Sequence, residues 1–220
     1  MVQQSLFGDE PAAASATEDA PIPFDNIDAA REAARGCVRC DLSVPRRQVV
    51  FGEGAPQARL MIIGEGPSEL DDRVGHPFSG PSGRLLEAWF IRLGLRREDV
   101  WLTNVVRCRP AAPVNGRLKN RPPTDGEAAA CRLWLETELA LVAPEVVLAL
   151  GGTAGKALLG KGFKITRERG QWREGPRGIA VLTTFHPAYL LRLEDEALAK
   201  AEAAVNEDLG AVKARLAVGR

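Results

Sequence analysis

The sequence contains four cysteines, two of which are spaced as metal ligands commonly are. Cys37 and Cys40 form a C-x-x-C pair, whereas Cys108 and Cys131 lie far along the chain. Four cysteines in 220 residues are too few for a disulfide scaffold. The pattern therefore favours a single site made of all four cysteines over four buried thiols. Thiolates suit zinc and an iron–sulfur cluster equally well, so the spacing leaves the metal open.

Four short apolar runs alternate with helical patterns. The runs are aliphatic and unalternated, as strands buried on both faces are, and they occupy residues 60–63, 100–102, 146–150 and 179–182. The helical patterns occupy residues 83–93, 125–142, 153–159 and 194–217. Thr124 and Glu127 form a capping box that opens the second helix. The alternation predicts an α/β fold with a four-stranded, mainly parallel sheet covered by helices on both faces.

The loops after these strands bring polar side chains to one edge of the predicted sheet. Glu65 follows the first strand, Asn104 follows the second and His186 follows the fourth. Ligands of open parallel sheets bind beyond the carboxyl ends of the strands, so we expect these residues to share one crevice. Residues 151–153 (GGT) follow the third strand and begin a helix that could bind phosphate, which leaves a nucleotide-phosphate hydrolase as an alternative.

The net charge of zero hides an uneven distribution of charge. Residues 1–35 carry seven acids and two arginines, a net charge of −5, so the rest of the chain carries +5. Residues 107–121 contain five bases and no acid: Arg107, Arg109, Arg117, Lys119 and Arg121. These charges could neutralise several phosphates, and a solvated loop is the alternative of equal weight. A basic loop beside a four-cysteine site would also suit a regulatory nucleic-acid binder without enzymatic activity.

Composition divides the chain into a tail and one domain. Residues 1–25 are rich in alanine, proline and acids and lack apolar periodicity, which predicts a disordered tail before a domain at residues 26–220. No run of 18 apolar residues occurs, and the N-terminus lacks the basic start and apolar core of a signal peptide. These features predict a cytoplasmic protein with no membrane partner, and we expect it to be a monomer.

Three ordered motifs resemble those of a known enzyme family. The segments 64–67 (GEGP) with 75–80 (GHPFSG), 103–110 (TNVVRCRP) and 186–192 (HPAYLLR) are similar to the motifs of the iron–sulfur, or family 4, uracil-DNA glycosylases. The resemblance runs from about residue 36 to residue 193. It implies a three-layer αβα sandwich, excision of uracil from DNA, and a structural [4Fe–4S] cluster held by Cys37, Cys40, Cys108 and Cys131.

Two positions depart from the family pattern. Ser68 stands where the family usually has glycine, close to the base pocket, and the segment between the third and fourth cysteines is longer than usual. A related clade carries a basic insert in that segment, with a histidine that traps the sugar covalently. This chain has Asn120 in that neighbourhood and only two histidines, His76 and His186, so we do not expect a covalent trap.

The family motifs and the chemistry of the bond together assign the binding residues. The base must leave the stack before its glycosidic bond can be reached. Phe78 is then the flat wall for the flipped uracil, and Gly66 lets the backbone approach it closely. The Asn104 amide matches the polarity of uracil N3–H and O4 and opposes that of cytosine. Without the motifs, Phe78 would be assigned to the core and Asn104 to a turn.

Three side chains are candidates for catalysis. His186, as a neutral donor, would stabilise the negative charge on the departing uracil O2, although a histidine before proline can also be purely structural. A carboxylate must stabilise the cationic sugar and orient water, and both Glu65 and Asp71 qualify. Asp71 and its neighbour Asp72 would otherwise be solvated loop acids. The residues leave the choice of general base between Glu65 and Asp71 open.

The third motif also suggests a DNA wedge. Leu190, Leu191 and Arg192 would fill the gap left by the flipped base, with core packing as the alternative for the leucines. No lysine lies within the three motifs, so a Schiff-base lyase step lacks its nucleophile. We therefore expect a monofunctional enzyme that leaves an abasic site.

A short peptide at the extreme N-terminus resembles a partner-binding motif. Gln3, Leu6 and Phe7 precede an acidic tether rich in proline and alanine. The pattern is similar to the peptide with which bacterial repair and replication proteins dock on the sliding clamp. Leu6 and Phe7 would fill an apolar pocket, and Gln3 would fix the register by hydrogen bonds. A frayed terminus that happens to contain these residues is the alternative.

Overall fold

The computed structural model describes residues 24–218, which contain a central sheet and a separate hairpin. The strands of this part are β1 (Glu53–Gly54), β2 (Leu60–Gly64), β3 (Trp101–Asn104), β4 (Ala111–Val114), β5 (Arg117–Asn120), β6 (Val146–Leu150), β7 (Trp172–Glu174) and β8 (Ala180–Thr184). The helices are α1 (Ile27–Arg35), α2 (Glu69–Val74), α3 (Pro81–Leu93), α4 (Asp125–Val142), α5 (Gly151–Leu159), α6 (Ile165–Glu168), α7 (Pro187–Leu190) and α8 (Asp195–Val218). All four predicted strands and all four predicted helices are confirmed to within two residues at each end.

The central sheet is mainly parallel and wider than the sequence predicts. Its strand order is β1-β3-β2-β6-β8-β7, in which the four inner strands are parallel to one another. The two edge strands, β1 and β7, pair antiparallel with β3 and β8. The predicted four-stranded sheet is thus the centre of a six-stranded one. The edge strands are only two and three residues long, too short to leave an apolar run in the sequence.

Helices cover both faces of the sheet and form two separate cores. Met61 and Ile63 of β2 pack on one face with residues of α1, α4 and α5. Leu60 and Ile62 pack on the other face with residues of α3 and α8. Alternate residues of a strand point to opposite faces, so a continuous apolar run is what a doubly covered strand requires. The three-layer αβα arrangement that the sequence predicts is confirmed.

The order of the strands creates a switch point at the centre of the sheet. From β2 the chain crosses to β3 on one side, and it later returns to β6 on the other side of β2. A crevice opens at the carboxyl ends of two strands where the winding direction reverses in this way. The capping box of α4 is confirmed, since Thr124 and Glu127 exchange hydrogen bonds of 2.7 and 3.2 Å.

The predicted tail lies almost entirely outside the described residues, together with Gln3, Leu6 and Phe7. Phe24, the first described residue, stacks its ring on Trp134 with 5.6 Å between ring centroids. The domain boundary at residue 26 stays a prediction. Among residues 24–218, the helices lack the combination of length and hydropathy that crossing a membrane requires.

Candidate functional site

Glu65 lies at the switch point and is hydrogen-bonded to the first turn of α5. It follows β2, and one of its carboxylate oxygens accepts a hydrogen bond from the Thr153 hydroxyl at 2.5 Å, in the first turn of α5. A carboxylate thus stands beside the start of α5. Because a phosphate there would meet like charge, this arrangement disfavours the phosphate-binding alternative.

Phe78 and Asn104 converge above Gly64, the last residue of β2. A Cβ placed on Gly64 would overlap Asn104 Oδ1 and would lie 2.6 Å from Phe78 Cζ, so only glycine leaves room for both side chains. Asn104 is 3% exposed, and no residue within 24–218 forms a hydrogen bond with its side-chain amide. Phe78 has a left-handed backbone, with φ of 55°, which turns its ring toward the sheet edge. The amide and the ring thus lie close together at the carboxyl end of β2.

His186 lies beside Phe78 as a neutral imidazole. The rings of His186 and Phe78 are within 28° of parallel, with 6.4 Å between centroids. His186 caps the short helix α7, because its Nδ1 accepts a hydrogen bond from the Ala188 amide at 3.0 Å. Burial, assisted by the nearby positive charge of Arg192, lowers the pKa of His186 to about 4. The imidazole is therefore neutral at pH 7, and with Nδ1 as acceptor its proton lies on Nε2.

The two aspartates of the first motif are buried and bonded to backbone. Asp71 is 5% exposed and accepts hydrogen bonds from the Ser68 amide at 2.8 Å and the Ser79 amide at 2.7 Å, one on each oxygen. Asp72 is 3% exposed and accepts from the Arg47 amide. The interpretation of these residues as solvated loop acids is wrong, because both carboxylates hold loops in place. Ser68 is the N-cap of α2 and completes a capping box with Asp71.

Gly66 packs closely against the segment that follows β3, and its approach to the base stays a prediction. A Cβ on Gly66 would lie 2.9 Å from Val106 Cγ2 and 3.1 Å from the Pro110 ring. Gly66 therefore lets the loop after β2 pack against the segment that follows β3. Gly64 is the glycine beneath Phe78 and Asn104, and its place in the first motif gives no sign of this role.

The three expected wedge residues separate into one buried and two exposed positions. Leu190 is 3% exposed and packs in the core with α3 and α8, so its assignment to the wedge is wrong. Leu191 is 52% exposed, and Arg192 is exposed beside it. Leu191 keeps the position that a wedge requires.

The four cysteines line a common cavity between α1, α4 and the segment after β3. Three of their sulfurs accept hydrogen bonds from nitrogen donors: Cys37 from Trp134 Nε1 at 3.3 Å, Cys108 from Arg46 Nη1 at 3.5 Å, and Cys131 from the Arg107 amide at 3.3 Å. All four thiols are free of disulfides. Within residues 24–218, however, no three His, Cys, Asp or Glu side chains form a group that could hold a metal ion.

Burial is the main cause of the raised pKa values of the two buried thiols, Cys108 and Cys131. It raises the pKa of the Cys108 thiol to about 11, against the opposing charge of Arg46. It also raises the pKa of Cys131, against the opposing charge of Arg107. As free thiols both groups are therefore neutral at pH 7, and a bound metal cation would reverse this preference.

A buried ion pair that the sequence analysis missed connects the two sites. Arg107 is 1% exposed, and its guanidinium lies against the Glu138 carboxylate of α4, with Nη2 and Oε2 3.0 Å apart. Its side chain also donates to the backbone carbonyl of Asn104. The available signal was Glu138 itself, a charged residue between the apolar positions Leu135 and Leu139 of a helix.

The fold and the site together define an α/β protein with an aromatic ring, an amide and an imidazole at the carboxyl edge of a parallel sheet, and with a four-cysteine cavity alongside. Comparison with known families identifies the family. Residues 51–210 match the family model of the uracil DNA glycosylase superfamily, and the chain belongs to this superfamily.

The chain is similar over most of its length to proteins named type-4 uracil-DNA glycosylase. It is 42% identical to the one from Thermotoga maritima, over 73% of this chain and 81% of the relative. It is 35% identical to the one from Sulfurisphaera tokodaii, over 76% of this chain and 77% of the relative. The type-5 uracil-DNA glycosylase of Thermus thermophilus is 35% identical over 62% of this chain and 68% of the relative.

Proposed function

We propose that this protein is a monofunctional uracil-DNA glycosylase of base excision repair. It flips uracil out of DNA, hydrolyses the N-glycosidic bond and leaves an abasic site. The observation that carries the proposal is the convergence of Phe78 and Asn104 above Gly64, with His186 facing the Phe78 ring. This geometry supplies a stacking wall, an amide for the edge of the base and a neutral donor in one pocket.

Asn104 provides the selection of uracil. Its carbonyl oxygen accepts from uracil N3–H, and its NH2 group donates to O4. Cytosine presents an acceptor at N3 and a donor at N4. The Asn104 carbonyl oxygen would then face an acceptor and its NH2 group would face a donor, so neither hydrogen bond could form. Because the Asn104 amide is buried and makes no bond of its own within residues 24–218, a mismatched base has no compensating contact there.

His186 and Glu65 act on opposite charges of the reaction. As the bond breaks, negative charge develops on uracil O2, and the Nε2–H of neutral His186 stabilises it. Glu65 stabilises the positive charge that develops on the sugar and accepts a proton from the attacking water. We assign this role to Glu65 rather than Asp71, because both oxygens of Asp71 already accept backbone hydrogen bonds. Asp71 acts instead as a positioning residue for the loop that carries Phe78.

The exposed end of α7 completes the contact with DNA. Leu191 enters the stack in place of the flipped base, and Arg192 lies beside it. No lysine stands in the three motifs to form a Schiff base, which supports hydrolysis without a lyase step.

We propose that Cys37, Cys40, Cys108 and Cys131 hold a [4Fe–4S] cluster in the cavity that they line. The sulfurs surround a common space, and nitrogen donors reach three of them, which suits anionic, metal-bound sulfur. Bound there, the cluster would supply structural support rather than redox chemistry. Anaerobically purified protein should contain about four irons per chain, and stoichiometric zinc in their place would overturn this assignment.

We also propose that the N-terminal peptide docks on a bacterial sliding clamp, and that the protein acts as a cytoplasmic monomer. Gln3, Leu6 and Phe7 support the docking by their spacing alone. A peptide of residues 1–12 should bind the clamp in the micromolar range, about −8 kcal/mol. Binding that is absent, or that survives the Leu6→Ala/Phe7→Ala double substitution, would return the peptide to an ordinary terminus.

Release of free base from defined oligonucleotides tests the proposed activity. Uracil is placed opposite adenine, opposite guanine and in a single strand, and the free base is quantified. We expect uracil release in at least one context, and a rate on the order of 10²-fold lower for His186→Ala. Wild-type protein that releases no uracil from any of the three would overturn the proposal.

A further inference from the structure

The hairpin formed by β4 and β5 is an exposed element of the structure. Its two strands are joined by Asn115 and Gly116, whose φ angles are 50° and 74°. Two consecutive left-handed residues of this kind make the tight turn that best matches the twist of a hairpin. Every residue from Pro113 to Asn120 is exposed. The segment that makes the chain longer between its last two cysteines is therefore an ordered structure.

The pairing register separates the hairpin into two faces. Val114 pairs with Arg117, and Ala112 pairs with Lys119, so these four side chains share one face. Asn120 belongs to the other face, and its Oδ1 accepts a hydrogen bond from Arg109 Nε at 2.8 Å. Arg117 and Lys119 thus stand side by side on the face turned away from Arg109, about 6.8 Å apart along the strand.

Of the five bases in residues 107–121, only these two are available to a partner. Arg107 is buried against Glu138. Arg109 pairs with Glu69 at 3.0 Å, and Arg121 pairs with Glu127 at 2.6 Å. Arg117 and Lys119 are exposed and form no ion pair with any residue in the described part of the chain. The sequence contains five bases in this segment, and the structure leaves two of them without an ion pair among the described residues.

The hairpin is fixed next to the base pocket. Arg109 ties it to α2, because its guanidinium bonds both Glu69 and the Leu118 carbonyl, at 3.0 and 3.1 Å. Pro110, the residue before β4, packs against Gly66 in the loop that carries Glu65. The paired charges therefore hold the hairpin in place, and the unpaired ones face outward from a defined position.

We propose that Arg117 and Lys119 bind phosphates of the DNA strand next to the flipped base. This inference rests on the proposed function and adds a contact surface to it. Each side chain neutralises one phosphate, so the pair increases affinity for any sequence and gives no information about the base. The hairpin thus helps to hold the DNA while the pocket selects uracil.

The test compares full-length wild-type protein with Arg117→Thr, Lys119→Thr and the double variant, because threonine maintains the strand. Arg177→Asn is the matched control: Arg177 is exposed, has a left-handed φ of 60° that asparagine tolerates, and lies in the connection between β7 and β8. Binding to DNA with a stable abasic-site analogue is measured from 50 to 200 mM salt. Single-turnover uracil release is measured on the matching substrate.

Each single substitution should weaken binding several-fold and reduce the slope of log K against log salt by about 0.9 on duplex or about 0.7 on single-stranded DNA. The double variant should lose about twice as much slope, with its rate at saturating enzyme within twofold of wild type. Equal loss in Arg177→Asn, or an unchanged slope in the double variant while wild type still releases uracil, would overturn the proposal. Absence of uracil release by wild type would instead count against the proposed function. The binding comparison would then still decide whether Arg117 and Lys119 contact phosphates.

Discussion

Arg107 and Glu138 form a buried ion pair that joins the cysteine cavity to the base pocket. Their side chains are 1% and 0% exposed, and the Glu138 carboxylate also accepts from the Gly52 amide at 3.0 Å. The Arg107 amide donates to Cys131 Sγ, while its guanidinium donates to the Asn104 carbonyl. One residue therefore contacts both the cysteine site and Asn104, the residue that we propose reads uracil.

Removal of one partner from this pair should be strongly destabilising. Glu138→Ala leaves the Arg107 charge buried without its counterion, and we expect a loss of about 3–5 kcal/mol in unfolding free energy, measured by denaturant titration. The Arg107→Met/Glu138→Leu double variant should recover part of that stability. Its uracil excision should stay low, because Asn104 has lost the donor at its carbonyl. Full recovery of both stability and activity would show that the pair does not position Asn104.

His186 should remain neutral well below its ordinary titration range. Its pKa is lowered to about 4, so the folded protein binds this proton only near pH 4, whereas the unfolded chain binds it near pH 6.5. The contribution of His186 to excision should therefore persist through pH 6.5, and stability should fall as the pH drops from about 6.5 toward 4. An NMR titration of His76→Gln protein, in which His186 is the only imidazole, measures this directly. A midpoint near 6.5 would contradict the neutral-donor role.

Gly64→Ala should close the base pocket. The new methyl group would overlap Asn104 Oδ1 and would lie 2.6 Å from the Phe78 ring, so both side chains must move. We expect excision to fall on the order of 10²-fold, with about 1–3 kcal/mol of lost stability. Gly126→Ala is the matched control, because its methyl would meet nothing closer than 4.0 Å. Wild-type activity in Gly64→Ala would place the base elsewhere.

Glu65→Gln and Asp71→Asn should separate catalysis from positioning. Glu65→Gln removes the charge that orients water, so single-turnover excision should drop by about 10²-fold or more while the melting temperature stays close to wild type. An Asp71→Asn amide cannot accept from both the Ser68 and Ser79 amides, so stability should fall by about 1–3 kcal/mol. An active Glu65→Gln protein together with a stable but inactive Asp71→Asn protein would indicate that Asp71 is the general base.

The sequence predicts the parallel core of this fold well because buried strands leave an unmistakable apolar pattern. Leu60–Gly64 and Val146–Leu150 are buried at every residue, so the run of aliphatic side chains is continuous in both. Edge strands such as Glu53–Gly54 depend on pairing with a neighbour and leave no such pattern. Helix α1 was also missed, although Asn26 at its N-cap and the helical spacing of Ile27, Ala30 and Ala34 are signals of an amphipathic helix.

The candidate site could be predicted in its residue types but not in their division of labour. Motif order brought Glu65, Asn104 and His186 to one edge, as the strand topology requires. The roles of Asp71 and Leu190 depended on burial, which spacing does not reveal in a short loop or a four-residue helix. The role of Gly64 could not be predicted, because it depends on the Asn104 and Phe78 side chains that pack over it.

The central claim is that Phe78, Asn104 and His186 together excise uracil and reject cytosine. Its most direct test measures free-base release from one oligonucleotide that carries uracil or cytosine at the same position. We predict release of uracil by wild-type protein, no measurable release of cytosine, and loss of the uracil signal in Asn104→Ala. Wild-type protein that releases no uracil, or releases cytosine at a comparable rate, would contradict the claim.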